Sequence, residues 1–123
     1  MREDYMGTFS VTVAIGDIED YRSEQVEALV DTGATTTVAP ASLLRRAGIE
    51  PTMTREFEYA DGRKVDLELG QAIVRYEDRQ APTIVVFGEE GSGVLLGAIT
   101  LQALFLGVDT HNERLIPVAG LLK

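Results

Sequence analysis

Between residues 9 and 15 the chain alternates Phe9, Val11, Val13 and Ile15 with Ser10, Thr12 and Ala14. A period of two predicts a strand with one buried face. Gly16-Asp17 and Glu19-Asp20 read as a loop. A second strand, from Gln25 to Val30, loses its polar alternation at Ala28-Leu29-Val30. Such a run is buried on both faces, so Asp31 emerges near the centre of the molecule.

Pro40 suits the first turn of a helix and Gly48 its C′ position. The residues between, Ala41 to Ala47, make about two turns, with Leu43, Leu44 and Ala47 facing a core. From Thr52 to Tyr59 a strand places Met53, Phe57 and Tyr59 on one face and Glu56 and Glu58 on the other. Ala60-Asp61-Gly62 follows, and Val65, Leu67 and Leu69 then alternate with Asp66 and Glu68. Asp-Gly between two alternating runs predicts a hairpin, and its charged outer faces predict that it projects into solvent. Gln71 to Tyr76 and Pro82 to Phe87 form another pair around Glu77-Asp78-Arg79-Gln80, with Ile84-Val85-Val86-Phe87 interior. A loop, Gly88 to Gly93, leads to Val94-Leu95-Leu96-Gly97. Next come a short helix from Ala98 to Phe105 and a last hairpin, Val108-Asp109 with Leu115 to Val118, around His111-Asn112. Many short strands with two short helices predict an all-β fold, closed or sandwich-like.

Composition narrows the function. A chain of 123 residues, 45% hydrophobic and 25% charged, is expected to be one soluble domain over residues 1–123. No apolar run approaches the ~20 residues of a membrane helix. The start, Met1-Arg2-Glu3-Asp4-Tyr5, has no apolar signal region, so a cytoplasmic location is expected. The absence of cysteine excludes disulfides, thiolate nucleophiles and Cys-type zinc sites. One histidine, His111, excludes a multi-histidine metal site within one chain. It also lies in a turn sequence, Asp109-Thr110-His111-Asn112, where a triad base is neither oriented nor shielded. No cofactor or metal is expected. A net charge of −9 makes nucleic acid and anionic membranes poor partners; Arg45-Arg46 is the only local basic spot.

The chemistry centres on Asp31-Thr32-Gly33. One reading is an ordinary turn, with Asp capping its own backbone. The other is a carboxylate held by Thr32 and by backbone N–H groups that Gly33 turns inward, half desolvated and so tuned for acid–base work.

Three parts in order, Ala28-Leu29-Val30-Asp31-Thr32-Gly33-Ala34, the hairpin around Ala60-Asp61-Gly62, and Val94-Leu95-Leu96-Gly97 before a helix, resemble the retropepsin-like (retroviral-type) aspartic proteases. The resemblance covers roughly Val11 to Val118. It implies a closed acid-protease β barrel that is the half-site protomer of a homodimer, and an aspartic endopeptidase acting on extended peptides or proteins. In that family a water is activated between two aspartates, one acting as base while the other stays protonated. This chain has eight aspartates but a single Asp-Thr-Gly, so each subunit supplies one Asp31 across a two-fold axis. By resemblance Asp31 is the catalytic acid/base, Thr32 reaches the partner's loop, and Gly33, Ala34 and Thr35 meet the substrate backbone. Tyr59, Ala60, Asp61, Gly62 and Arg63 belong to a flap. Val38, Ile84 and Leu95 line apolar subsites, and Leu95-Leu96-Gly97 supports the acid loop from behind. Viral members carry an arginine after the second-motif glycine, paired with an acid shortly after Asp-Thr-Gly. Here those places hold Ala98 and Thr35 or Thr36, so threonine hydroxyls replace the ion pair or the dimer is weaker. Leu115-Ile116-Pro117-Val118 is the candidate for the interlocking dimer strand. The alternative to the enzyme is a catalytically silent dimeric module of the same fold that binds peptides or acts as a scaffold.

Overall fold

The first alternating stretch forms β1 (Ser10–Gly16) and the second forms β2 (Ser23–Val30), paired antiparallel from Ser10↔Leu29 to Gly16↔Ser23. The computed structural model describes residues 9–19 and 22–122. The expectations on Met1 to Tyr5 and on Asp20 lie outside the described residues. After β2 come β3 (Thr37–Pro40), α1 (Ala41–Arg46), β4 (Pro51–Glu58), β5 (Lys64–Tyr76) and β6 (Arg79–Gly88). Then follow β7 (Val94–Leu96), α2 (Ala98–Ala103), β8 (Leu106–Asp109) and β9 (Arg114–Pro117).

The strand order is β1-β2-β7-β3-β6-β5, and β5 returns to pair with β1 at Ala14↔Arg75 through Gly16↔Ile73. That last pairing closes a six-stranded barrel and leaves its backbone groups bonded strand to strand. Inside lie Val13, Ile15, Val30, Val74, Val85 and Leu96, with Leu44 from α1 and Leu101 from α2. β8 and β9 form a separate two-stranded hairpin whose Leu106 and Leu115 join the same core. No helix among the described residues is long and apolar enough to cross a membrane.

β4 pairs with β5 alone. β6 joins β5 only from Leu69 onward, so the part of the β4–β5 hairpin beyond Met53↔Leu69 has no third strand and projects. The Asp-Gly hairpin therefore stands where its charged outer faces predict.

Several elements differ from expectation. β3 is an added strand: Thr35-Thr36-Thr37 before Pro40 has turn chemistry, and its four residues become a strand because β6 and β7 bond to both sides. β5 runs unbroken for 13 residues through Gly70. A Cβ there would lie 2.7 Å from the Glu50 carbonyl and 3.0 Å from Ile49 Cγ2, so the glycine admits a crossing chain and does not end the strand. The β5–β6 connection is the two-residue turn Glu77-Asp78, with Tyr76↔Arg79 already paired. α2 ends at Ala103, before the expected Phe105, where Arg79 Nη1 donates to the carbonyls of Leu104 (2.9 Å) and Phe105 (3.0 Å). A cation at a helix C-terminus satisfies carbonyls that have no intrahelical donor.

Pro40 is the N-cap of α1, not its first turn, and has no side-chain acceptor to offer. Glu90, in the loop before β7, takes that role. Its carboxylate accepts the Ser42 N–H at 2.9 Å and the Ser42 hydroxyl. These bonds, the hydroxyl first, hold the Glu90 carboxyl below its ordinary value. A depressed carboxyl stabilises its contact above the unfolded-state pKa and loses it as pH falls through the folded one. The Ser42 amide resonance is therefore expected to titrate with a midpoint below the ordinary glutamate value of 4.5, and Glu90→Gln is expected to remove that transition, both read by NMR.

Candidate active site

β2 delivers Asp31 at the end of a strand whose last residue, Val30, is 1% exposed. Its own N–H donates to the Leu96 carbonyl at 3.1 Å, extending the parallel Val30↔Leu96 pairing by one residue. The chain then turns. Gly33 N–H donates to Asp31 Oδ1 at 3.0 Å, and Ala34 N–H donates to the Asp31 carbonyl at 3.1 Å. The bond to the acid thus comes from Gly33, with Thr32 exposed beside it and Asp31 itself half-buried. The turn and the presented carboxylate are one geometry: the Asx turn is what aims the acid.

Behind the loop stands α2. Ala98 N–H donates to the Ala34 carbonyl (2.8 Å) and Ile99 N–H to the Thr35 carbonyl (3.0 Å). These N–H groups belong to the first helical turn and have no intrahelical acceptor, so the acid loop satisfies them. Gly97 is forced by the same approach: a Cβ there would sit 2.5 Å from the carbonyl carbon and oxygen of Thr36. Where the viral pattern has an arginine–acid pair, backbone carbonyls of Ala34 and Thr35 meet helix N–H groups. The hydroxyls that take part are those of Thr37, Thr83 and Thr100, all buried, not those of Thr35 or Thr36.

The pairing register assembles an apolar shelf. Leu29↔Leu95, Leu95↔Val38, Val38↔Val86 and Val86↔Leu69 run across five strands, and paired residues share a face. Leu29, Leu95 and Val38 are half-buried, while Val86 and Leu69 are buried beside them. Leu96, one residue from Leu95, turns the other way into the core. Leu29 shares the face of Asp31, two residues on, which the unbroken apolar run Ala28-Leu29-Val30 does not reveal in sequence; nor does sequence reveal the pairing of Val86 and Leu69. Ile84 lies two residue pairs along from Val86, opposite Gln71, and lines a cleft of about 320 Å³ with Ile18, Pro82, Thr83 and Ile99.

At the hairpin tip Tyr59 N–H donates to the Arg63 carbonyl (2.8 Å), Gly62 N–H donates to the Tyr59 carbonyl (2.9 Å), and Gly62 adopts φ +91°. That glycine conformation closes the turn between Glu58↔Lys64. Arg63 folds back: its Nε donates to Asp61 Oδ2 at 3.0 Å and its guanidinium lies 4.6 Å from the Tyr59 ring centre. The Arg63 N–H first, then its guanidinium, hold the Asp61 carboxyl below its ordinary value. Tyr59 falls just beyond β4 and is exposed. Asp109, at the start of the turn sequence Asp109-Thr110-His111-Asn112, bonds Asn112 and Arg114 across the β8–β9 turn. Among the described residues no group of three or more acidic or histidine side chains could hold a metal.

A closed barrel with a hydrogen-bonded acid at the end of a central strand, a glycine-backed second motif and a projecting hairpin define the aspartic-protease class. The family model described as "gag-polyprotein putative aspartyl protease" matches residues 11–103, and the chain belongs to this retropepsin-like aspartic protease family. The fold is similar to that of the simian foamy virus (mac) protease, with TM-score 0.55 and 17% identity over 76% of this chain and 92% of that one. It is similar to the EIAV protease solved with the inhibitor HBY-793, with TM-score 0.55 and 20% identity over 76% and 85%. A retropepsin-like aspartic protease from Rickettsia conorii aligns with TM-score 0.52 and 17% identity over 84% and 85%. No curated protein matches the chain.

Gly97→Ala is expected to destabilise the protein by about 3 kcal/mol, the upper range of overpacking, because the obstacle is backbone and cannot rotate away. Denaturant midpoints at unchanged slope check it.

Proposed function

We propose that two copies of this chain form an aspartic endopeptidase that cleaves extended polypeptides. The observation that carries this reading is Asp31: half-buried at the end of a barrel strand, with one carboxylate oxygen held by Gly33 N–H on a loop pinned from behind. One such acid per chain is half a dyad, so Asp31 of the partner subunit completes it.

With the two carboxylates about 3 Å apart, one proton is shared between them. The ionised member takes a proton from the water as the water oxygen attacks the peptide carbonyl, and the protonated member donates to the carbonyl oxygen. Collapse of the tetrahedral intermediate returns a proton to the leaving amine. Thr32, exposed next to the acid, reaches the partner's loop. The Gly33 carbonyl accepts from substrate backbone, and Ala34 and Thr35, whose carbonyls bond α2, line the approach. Leu29, Val38 and Leu95 hold apolar side chains near the cut bond, Ile84 takes one farther out, and the Tyr59–Gly62 tip covers the bound strand. β9 with Val118 supplies the subunit contact. Exposed Phe105, Val118, Leu121 and Leu122 give it apolar surface to bury.

Asp31→Asn is expected to leave the unfolding midpoint and the dimer in place while lowering peptide cleavage by on the order of 10³-fold. Mass spectrometry of a diverse peptide mixture incubated with each protein checks it; equal cleavage by both overturns the enzymatic reading in favour of a silent binding module.

Association must overcome repulsion between two chains of −9 each. Dimers are expected to tighten at mildly acidic pH, where carboxylates protonate, and at raised salt, where the Debye length falls from about 30 Å to about 8 Å. Sedimentation across pH and salt checks this; a single monomeric species throughout refutes it.

A further inference from the structure

Three threonines far apart in the chain meet in the core beside the acid loop. Thr37, Thr83 and Thr100 are 0%, 7% and 0% exposed. Thr100 Oγ1 lies 2.6 Å from Thr37 Oγ1 and 2.9 Å from Thr83 Oγ1. Gly97 N–H donates to Thr37 Oγ1 at 3.0 Å, and Thr83 Oγ1 has the Ile84 carbonyl at 3.5 Å. Each hydroxyl has one proton to place, and only one direction gives every proton an acceptor. The order is Gly97 N–H to Thr37, Thr37 to Thr100, Thr100 to Thr83, and Thr83 to the Ile84 carbonyl. No buried side-chain polar atom among the described residues is left without a partner.

The position of this chain matters more than its energy. The acid loop begins where Asp31 N–H meets the Leu96 carbonyl and ends where Thr37 Oγ1 receives Gly97 N–H. Both ends are therefore fastened to consecutive residues of the β7–α2 junction. Thr37 opens β3 where the acid loop ends, Thr100 belongs to the helix whose first turn holds Ala34 and Thr35, and Thr83 to barrel strand β6. The hydroxyls tie loop, helix and barrel wall together beneath the surface, where Ala98 offers no charged side chain for that purpose.

We infer that Thr37, Thr100 and Thr83 are positioning residues for Asp31, a neutral hydroxyl relay that fixes the acid loop against α2. The catalytic arm of its test rests on the endopeptidase reading above; the relay itself does not.

Thr100 separates positioning from packing. Thr100→Val keeps the shape but removes the middle hydroxyl. Thr100→Ser keeps the hydroxyl and loses a methyl group from the core. A merely structural role makes Ser at least as harmful as Val, because a buried cavity also destabilises. Positioning makes Val the harmful change. In the full-length protein, Thr100→Val is expected to accelerate amide exchange at Gly97, Ala98 and Ile99 about tenfold, the loss of roughly one hydrogen bond. It is also expected to lower kcat about tenfold with KM within about twofold, as for a slightly misplaced catalytic group. Thr100→Ser should restore both to within about threefold of wild type. Unchanged exchange at those amides in Thr100→Val, or a Ser variant as impaired as the Val variant, overturns the inference. Should the wild-type protein cleave no peptide, the endopeptidase reading fails while the exchange comparison still decides the relay.

Discussion

Everything about the candidate site depends on how closely two backbones approach, Gly97 against Thr35-Thr36. No side chain fits between them, since a Cβ on Gly97 would meet the Thr36 carbonyl at 2.5 Å. At that separation the first N–H groups of α2 reach the carbonyls of Ala34 and Thr35 without help from any longer group. A helix start and a loop, each with polar groups it cannot satisfy alone, satisfy one another. The carboxylate at the front of the loop is then held by the shortest lever available, its own Asx turn, while the back cannot move. A side chain bridging a wider gap would bring rotamer freedom with it, and freedom at the back of the loop becomes displacement at the acid.

The barrel makes this approach possible. β7 is three residues long, yet it lies between β2 and β3, parallel to one and antiparallel to the other. A strand so short is fixed by its neighbours more than by its own propensity. It puts Leu95 on the shelf beside Leu29 and Val38, Leu96 in the core, and Gly97 under the loop. Three consecutive residues thus serve cleft, core and acid support.

The parts that carry their own local signal were legible in sequence: the alternation of β1, the apolar run of β2, Asp61-Gly62 at the projecting turn, and Gly48, with φ +85°, just past α1. Asp31 and Gly33 stand out as an acid and a turn residue after an apolar strand, and Gly97 by its place in the family's second motif, although the backbone that requires it, Thr36, lies far away in the chain. What stayed hidden depended on partners remote in the chain. β3 reads as a turn until β6 and β7 flank it, Glu90 caps a helix 48 residues away, and Gly70 resembles a breaker until Glu50 crosses it. The threonine relay was hidden for the same reason. Thr37 and Thr100 are separated by 63 positions, and nothing in either neighbourhood distinguishes a core hydroxyl from a surface one.

Charge in this molecule follows a consistent division. The ion pairs among the described residues, such as Arg45–Glu68 and Arg46–Glu24, have mostly exposed side chains, where pairs contribute little. Among the described residues the buried polar side chains are the neutral threonines Thr37, Thr83 and Thr100. The hairpin tip extends the pattern, because Asp61 and Arg63 neutralise each other and Tyr59 covers the guanidinium. If the tip closes over the apolar shelf as a flap, as in the proposed function, this matters in a specific way. A lone aspartate or arginine at the tip would lose its water on closing and oppose it. A pair that is already bonded carries its counter-charge with it, so part of that desolvation cost is offset within the tip itself. A charged tip with a single glycine is therefore compatible with closing over a strand of substrate, provided Asp61, Arg63 and Tyr59 move as one unit.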